Sequence, residues 1–176
     1  MRFEETPLAG AFLVDSDAVE DERGSFFRAS CHREFERQGL AGEFVQASIS
    51  RNRSCGTVRG MHYQADPRPE RKLVRCVRGA VYDVVVDLRR DSATHRRWFG
   101  VELSAANGRA LYVPAGFAHG FQTLCDDSDV FYQMSEYYVA ELSAGVRWDD
   151  PAFGIAWPLA ATSISARDRE FPDYVV

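Results

Sequence analysis

The sequence lacks the long apolar runs and the basic surplus that mark several large classes of protein. Its 176 residues carry 21 Lys and Arg against 26 Asp and Glu, which argues against broad neutralisation of nucleic-acid phosphates. No segment approaches the roughly 20 consecutive apolar residues of a membrane-spanning helix. The stretch MRFEETPLAGAF has neither the basic start nor the apolar run of a signal peptide. We therefore expect a cytoplasmic protein that binds neither nucleic acid nor membrane.

The four cysteines are too scattered to form a metal-binding or redox motif. They stand at Cys31, Cys55, Cys76 and Cys125, and no two form a C-x-x-C pair. Free thiols in a reducing compartment are the simplest interpretation. Disulfides and a cysteine zinc site are the alternatives, and the spacing favours neither.

Short strands dominate the sequence pattern. Apolar and β-branched runs occupy residues 72–77, 80–88, 97–104, 109–113, 119–124 and 129–138. Gly, Pro, Asn and Asp separate these runs, and the pair at 78–79 predicts a tight hairpin turn. Only HREFERQGL, at 32–40, has a persuasive helical pattern.

Many strands at short spacing, without amphipathic helices between them, favour an all-β sandwich or barrel. The length suits a single hydrophobic core, so we expect one domain over residues 1–176. The last thirty residues are rich in Pro, Asp and Trp. They predict an irregular segment that wraps over the barrel.

His62 stands in RGMHYQ, at 59–64, with no second histidine nearby. It could be a metal ligand, a buried structural histidine, or a base that removes a proton from carbon. Cupin barrels carry a Gly, then five intervening residues, then His-x-His; here Gly56 and His62 have this spacing, and Gln64 takes the place of the second histidine. The second cupin motif is better matched, since GRALYVPAGFAH ends at His119. Two histidines make a poor site for a divalent metal, which normally takes three or more protein ligands, so we expect no metal.

Five longer blocks carry a more specific resemblance. GTVRGMHYQ, KLVRCVRGAVYDVVVDLRRDS, WFGVELSAANGRALYVPAGFAHGFQTL, VFYQMSEYY and GVRWDDPAFGIAWP resemble the deoxythymidine-diphosphate (dTDP)-4-dehydrorhamnose 3,5-epimerase family, and the likeness runs from about residue 21 to about residue 172. It implies a cupin-type jelly-roll barrel with a few short helices and an irregular C-terminal segment. It also implies cofactor-independent epimerisation of a 4-keto-6-deoxy nucleotide-diphosphate sugar at C3, C5 or both.

The resemblance assigns the proton chemistry to four residues. A 4-keto group acidifies the C–H bonds at C3 and C5, so the site needs a base, an acid on the other face and donors around the enolate oxygen. His62 matches the base, and imidazole titrates near neutral pH. Asp168 matches the aspartate that orients this histidine. Tyr132 matches the acid, and Lys72 matches the lysine near the keto oxygen.

The resemblance also implies a set of substrate contacts. Arg23 and Arg59 match the arginines on the diphosphate, where guanidinium forks suit paired phosphate oxygens. The remaining matches are Phe26 and Tyr138 against the base or sugar, Gln46 at the start of a Gln-x-Asn segment, and His119 near the keto oxygen. Three contact positions depart from the family pattern: Arg28, Ser48 and Ser143. These departures leave the nucleotide, the sugar and the inverted carbon open.

Arg59 and His62 raise a geometric difficulty. Side chains alternate along a strand, so two residues three positions apart should point to opposite faces. If both reach one ligand, a bulge near Gly60 or a second subunit must intervene.

Three alternatives remain open at this point. The protein could be a 3- or 5-mono-epimerase for a modified deoxysugar, a metal-dependent cupin, or a sugar-binding cupin without catalysis. The resemblance further implies a homodimer that exchanges strands between barrels. FEETPLAGAFLV, at 3–14, has the apolar content to join a partner's sheet.

Overall fold

The computed structural model describes residues 1–175 and is built mainly of β-strands. The strands are β1 (Arg2–Glu5), β2 (Phe12–Asp15), β3 (Val19–Asp21), β4 (Gly24–Phe26), β5 (Gln46–Asn52), β6 (Val58–Gln64), β7 (Lys72–Arg78), β8 (Ala80–Asp87), β9 (Trp98–Ser104), β10 (Ala110–Val113), β11 (Phe117–Thr123), β12 (Ser128–Met134) and β13 (Ser143–Gly145). The helices are α1 (His32–Arg37) and α2 (Ala166–Arg169), with a 3-10 turn at Ala140–Leu142. The all-β prediction is confirmed. Within residues 1–175, no helix is long and apolar enough to cross a membrane.

Two antiparallel sheets pack face to face around the main core. The six-stranded sheet has the order β1-β2-β10-β7-β12-β5, and the five-stranded sheet has the order β13-β6-β11-β8-β9. A separate hairpin joins β3 to β4. Val74 and Val130 of the larger sheet meet Val85 and Phe121 of the smaller one, and all four are buried. This arrangement follows from the alternation of inward apolar residues along each strand.

The predicted hairpin at residues 78–79 is wrong. β7 pairs with β10 and β12, whereas β8 pairs with β11 and β9, so the two strands belong to different sheets. Gly79 has a φ of +72°, a conformation that glycine adopts without a steric penalty. It redirects the chain across the core instead of folding it back. The strand predicted at 129–138 likewise ends earlier, at Met134.

Each sheet has a different cover on its outer face. Phe35 of α1 packs against Leu73 and Tyr112 over part of the six-stranded sheet. The irregular C-terminal segment covers the five-stranded sheet, where Phe153 packs with Met61. The predicted C-terminal wrap is therefore confirmed. Strands β1 and β2, at residues 2–5 and 12–15, pair within the chain's own six-stranded sheet.

A β-bulge in β6 resolves the difficulty of Arg59 and His62. His62 lies opposite His119 on β11, and Arg59 lies opposite Phe121, so β6 uses three steps where β11 uses two. The extra residue lets Arg59 and His62 point to the same side. Gly60 makes this possible, because a Cβ there would lie 2.6 Å from the Cα of Gly120. The bulge near Gly60 is confirmed.

We expect the substitution Gly60→Ala to lower the free energy of unfolding by about 1–3 kcal/mol more than Gly24→Ala does, the usual cost of overpacking. Gly24 is a matched control, because its φ is +128° against +123° at Gly60 and its Cβ would meet open space. Chemical denaturation measures both. Equal losses would show that the close approach to Gly120 has no energetic weight.

Candidate active site

A cavity of about 230 Å³ lies between the two sheets and collects most of the predicted catalytic side chains. Lys72 and Tyr132 enter it from the six-stranded sheet, on β7 and β12. His62 and His119 enter it from the five-stranded sheet, on β6 and β11. These four side chains therefore face one another across the core.

His62 is hydrogen-bonded to Asp168, the pairing that the family resemblance implies. The distance from His62 Nε2 to Asp168 Oδ1 is 2.7 Å, and the backbone N–H of Gly60 donates to Asp168 Oδ2 at 3.2 Å. The carboxylate is nearly buried, whereas the imidazole is 39% exposed and open to the cavity. One carboxylate thus fixes both the base and the bulge that presents it.

Asp168 reaches His62 because α2 is tied to β6. Thr57 forms a parallel bridge with Ser163, and the backbone N–H of Asp168 donates to Oγ of Ser165 at 3.1 Å. Serine is a favoured N-cap residue, so this contact starts α2 three residues before Asp168. The turn that begins at Ser165 therefore holds the Asp168 carboxylate beside the His62 imidazole.

The protonation state of the pair follows from its hydrogen bonds. Burial raises the pKa of Asp168, but the hydrogen bonds that the carboxylate accepts from His62 and from the backbone of Gly60 outweigh it, and the pKa lies below its ordinary value. An ionised carboxylate can only accept, so the proton of the shared hydrogen bond belongs to His62 Nε2. This leaves Nδ1 of the neutral imidazole with a free lone pair. His62 is therefore set up as a base.

Tyr132 is partly buried on the opposite wall of the cavity. Its ring packs edge-on against His119, with ring centroids 5.9 Å apart. Burial, and next the negative charge of Asp83, raise the pKa of Tyr132 well above its ordinary value. The phenol therefore keeps its proton, as an acid must.

His119 has a carboxylate partner of its own. Its Nε2 lies 2.9 Å from Asp83 Oδ1, and both side chains are almost fully buried. Asp83 lies on β8, beside His119 on the neighbouring strand β11, and this pairing joins the two strands through their side chains. The second oxygen of Asp83 is buried without a partner among the described residues.

Arg59 lines the cavity beside His62. Its Nε donates to the amide oxygen of Asn52 at 2.7 Å, and Asn52 is itself buried. A guanidinium held by a neutral oxygen keeps its positive charge available to an anionic ligand. This placement supports the predicted role of Arg59.

A second cavity, of about 330 Å³, adjoins the first and shares His62, Lys72 and Tyr132 with it. The other predicted contacts in its lining are Gln46, Ser48, Tyr138 and Ser143. The amide oxygen of Gln46 accepts from the backbone N–H of Tyr138 at 3.0 Å, which fixes this wall. Most of the predicted catalytic and binding residues thus line one continuous hollow.

Three predicted contacts lie outside this hollow. Arg23 and Phe26 belong to the β3–β4 hairpin, where Arg23 pairs with Asp21 and the Phe26 ring is largely exposed. Arg28 pairs with Glu34 of α1. Within one chain these residues do not join the cavity lining, and their roles remain predictions.

The structure adds residues that sequence reasoning missed. Arg167 lines the second cavity and donates to Oγ of Ser143 at 2.9 Å. Its only signal in the sequence was its place beside Asp168. Ser50 lines the first cavity on β5, and Phe171 packs edge-on against His62, with centroids 6.0 Å apart. Nothing in the local sequence distinguishes Ser50 or Phe171 from ordinary strand and loop residues.

Two other observations bear on the location and type of chemistry. Within residues 1–175, no group of three or more His, Cys, Asp or Glu side chains is arranged to hold a metal ion. A larger cavity, of about 660 Å³, is lined by Tyr63, Arg89 and Tyr174 among others. It contains none of the four predicted catalytic residues, so we place the chemistry in the smaller hollow between the sheets.

Comparison with known proteins agrees with this geometry. The family profile described as dTDP-4-dehydrorhamnose 3,5-epimerase matches residues 5–175. The chain is 42% identical over 173 residues to the dTDP-4-dehydrorhamnose 3,5-epimerase of Methanothermobacter thermautotrophicus. The alignment covers 97% of this chain and 92% of that relative.

Solved structures give the same result. The dTDP-4-dehydrorhamnose 3,5-epimerase of Bacillus anthracis, with TDP and PPi bound, superposes with a TM-score of 0.95 at 40% identity. The superposition covers 98% of this chain and 99% of the Bacillus anthracis chain. A 3'-monoepimerase from Streptomyces bikiniensis, in complex with dTDP-quinovose, superposes with a TM-score of 0.90 at 32% identity. The superposition covers 97% of this chain and 86% of the monoepimerase chain. The cupin-type jelly-roll prediction is confirmed. The chain belongs to the dTDP-4-dehydrorhamnose 3,5-epimerase family.

Proposed function

We propose that this protein epimerises a dTDP-linked 4-keto-6-deoxy sugar at C3, C5 or both through an enolate. The observation that carries the proposal is the placement of the His62–Asp168 pair and Tyr132 on facing walls of one cavity. Family membership supports the substrate class. The reaction uses only groups of the protein.

The first step is proton removal by His62. Nδ1 takes a proton from C3 or C5, the electron pair of that C–H bond forms a C=C bond, and the carbonyl π pair moves onto O4. Asp168, ionised and bonded to Nε2, stabilises the resulting imidazolium. The 2.7 Å hydrogen bond also fixes the ring orientation, so that the free nitrogen faces the cavity.

The second step is reprotonation by Tyr132. Its O–H gives a proton to the same carbon while the electron pair on O4 re-forms the carbonyl. Because His62 and Tyr132 stand on different sheets, they approach a sugar between them from opposite sides. A proton removed from one side and returned from the other inverts the carbon. Exchange with solvent then restores both groups.

The enolate and the diphosphate need positive charge and hydrogen-bond donors. Lys72, 12% exposed in the cavity wall, supplies an ammonium for the developing charge on O4. Arg59 and Arg167 line an adjoining depression together with His62, and their guanidinium groups suit the paired phosphate oxygens. The sugar would therefore lie toward Lys72, and the diphosphate toward the two arginines.

We also infer that the protein works as a homodimer. Helix α1 covers only part of the six-stranded sheet, and Ile49 and Val77 are 56% and 47% exposed on the uncovered part. Arg23 and Phe26 are exposed on the hairpin and do not line the reaction hollow of their own chain. A second copy packed on this face would cover the apolar side chains and could bring the hairpin to the partner's site.

Incubation with a dTDP-4-keto-6-deoxy sugar in deuterium oxide tests the reaction. We expect deuterium at C3 and C5, read by proton NMR, because each inversion replaces a carbon-bound proton with one from solvent. His62→Asn, which keeps the size of the side chain but removes the base, should abolish labelling at both carbons. Label at C3 alone would identify a 3-mono-epimerase and exclude the double epimerase. Label at neither carbon would contradict the proposal.

Tyr132→Phe separates the two steps. The substitution removes the acid and leaves the base, so we expect net epimerisation to fall by about 10²–10⁴-fold, the usual size of acid–base catalysis. Exchange of the abstracted proton should fall much less. Both rates are measured in one deuterium experiment, by label retained in substrate and in product. Equal loss of the two rates would show that Tyr132 is not the acid.

Ile49→Asp tests the dimer. We expect wild-type protein to sediment as a dimer and Ile49→Asp as a monomer, because a buried unpaired carboxylate is costly at an interface. Leu159→Asp is the control, since Leu159 is 41% exposed and lies in the C-terminal segment, beside Gln122 of the other sheet. A wild-type monomer, or an unchanged Ile49→Asp dimer, would contradict the proposed interface.

A further inference from the structure

Lys72 has a carboxylate partner that the mechanism above does not use. Nζ of Lys72 lies 3.1 Å from Oε1 of Glu70, two residues earlier in the chain. The two side chains are 12% and 14% exposed, so this ion pair is largely shielded from solvent. Such shielding distinguishes this ion pair from solvent-exposed pairs, which contribute little to stability.

Glu70 belongs to the wall of the reaction hollow. It lines the same 330 Å³ cavity as His62, Lys72 and Tyr132. The other two cations of the site have neutral partners: Arg59 donates to the amide oxygen of Asn52, and Arg167 donates to Ser143. The carboxylate is therefore matched specifically to the lysine.

We propose that Glu70 is the positioning residue for Lys72, an inference that rests on the proposed epimerase function. A lysine ammonium sits on a flexible four-carbon stem, and fixing it at the moment of reaction costs conformational entropy. An ion pair formed in advance holds the ammonium at the cavity wall. The site is then preorganised for the charge that develops on O4.

The negative charge of Glu70 does not cancel this effect. An enolate oxygen in contact with Nζ would lie about 2.8 Å from it, the usual length of a charge-assisted hydrogen bond. The carboxylate already occupies another direction around Nζ, so two like-charged oxygens are kept apart by the ammonium between them. Coulomb energy falls with distance, and the nearer attraction to Lys72 outweighs the more distant repulsion.

Two substitutions at position 70 test the proposal. Glu70→Gln keeps the shape and an acceptor oxygen, whereas Glu70→Ala removes both. We expect kcat for epimerisation to fall by about 10-fold or more in Glu70→Ala and by less in Glu70→Gln, with KM changed by less than about threefold, because the interaction acts in the transition state. Glu141→Gln, an exposed carboxylate on the 3-10 turn, is the control and should leave kcat unchanged.

A double-mutant cycle separates positioning from a structural role. In a Lys72→Met background, Glu70→Gln should cause no further loss in the rate of deuterium incorporation, because Glu70 acts through Lys72. Full additivity of the two losses, or an unchanged kcat in both Glu70 variants, would overturn the proposal while wild-type labelling stands. Wild-type protein that incorporates no deuterium would overturn the epimerase function and this inference together. Thermal unfolding of each variant confirms that folded protein is compared.

Discussion

The carboxylate of Asp168 joins the two features on which the site depends. One oxygen bonds to the imidazole of His62, and the other accepts from the backbone N–H of Gly60. The first contact sets the proton on Nε2 and frees Nδ1; the second fastens the bulge that turns Arg59 and His62 to the same side. The short helix α2 thus fixes β6, an inner strand of the five-stranded sheet. The proposed base His62, the bulge and the proposed phosphate contact Arg59 therefore depend on the same carboxylate.

The two-sheet architecture supplies the stereochemistry. An inverting proton transfer needs a base and an acid on opposite sides of the carbon, and a sandwich offers two facing walls about 10 Å apart. His62 stands on one wall and Tyr132 on the other. The surroundings of the two side chains also differ. His62 is open to the cavity, whereas burial and the negative charge of Asp83 raise the pKa of Tyr132, so that it stays protonated. The fold places the proposed acid and the proposed base on separate sheets.

The sequence predicted the strands well, because alternation and turn residues are local signals. It failed at Arg78-Gly79, since a glycine turn inside one sheet and a glycine crossing between two sheets look alike in sequence. The pairing of His62 with Asp168 came from family resemblance, because no spacing rule joins residues 106 positions apart. Arg167 and Glu70 were missed for a related reason. Isolated charges resemble solvated surface residues until the fold shows what they face.

The contact between Gly60 and Gly120 has a consequence for how this protein can vary. A Cβ at either position would meet backbone atoms of the other strand, at 2.6 Å from Gly120 Cα or 2.7 Å from the carbonyl oxygen of Arg59. Backbone atoms cannot be exchanged for smaller ones, so no second substitution elsewhere can make room. The backbone around Gly60 and Gly120, which positions His62, therefore accepts few substitutions. Side chains of the cavity wall, such as Ser48 and Ser143, are free of this constraint and can change without moving that part of the backbone.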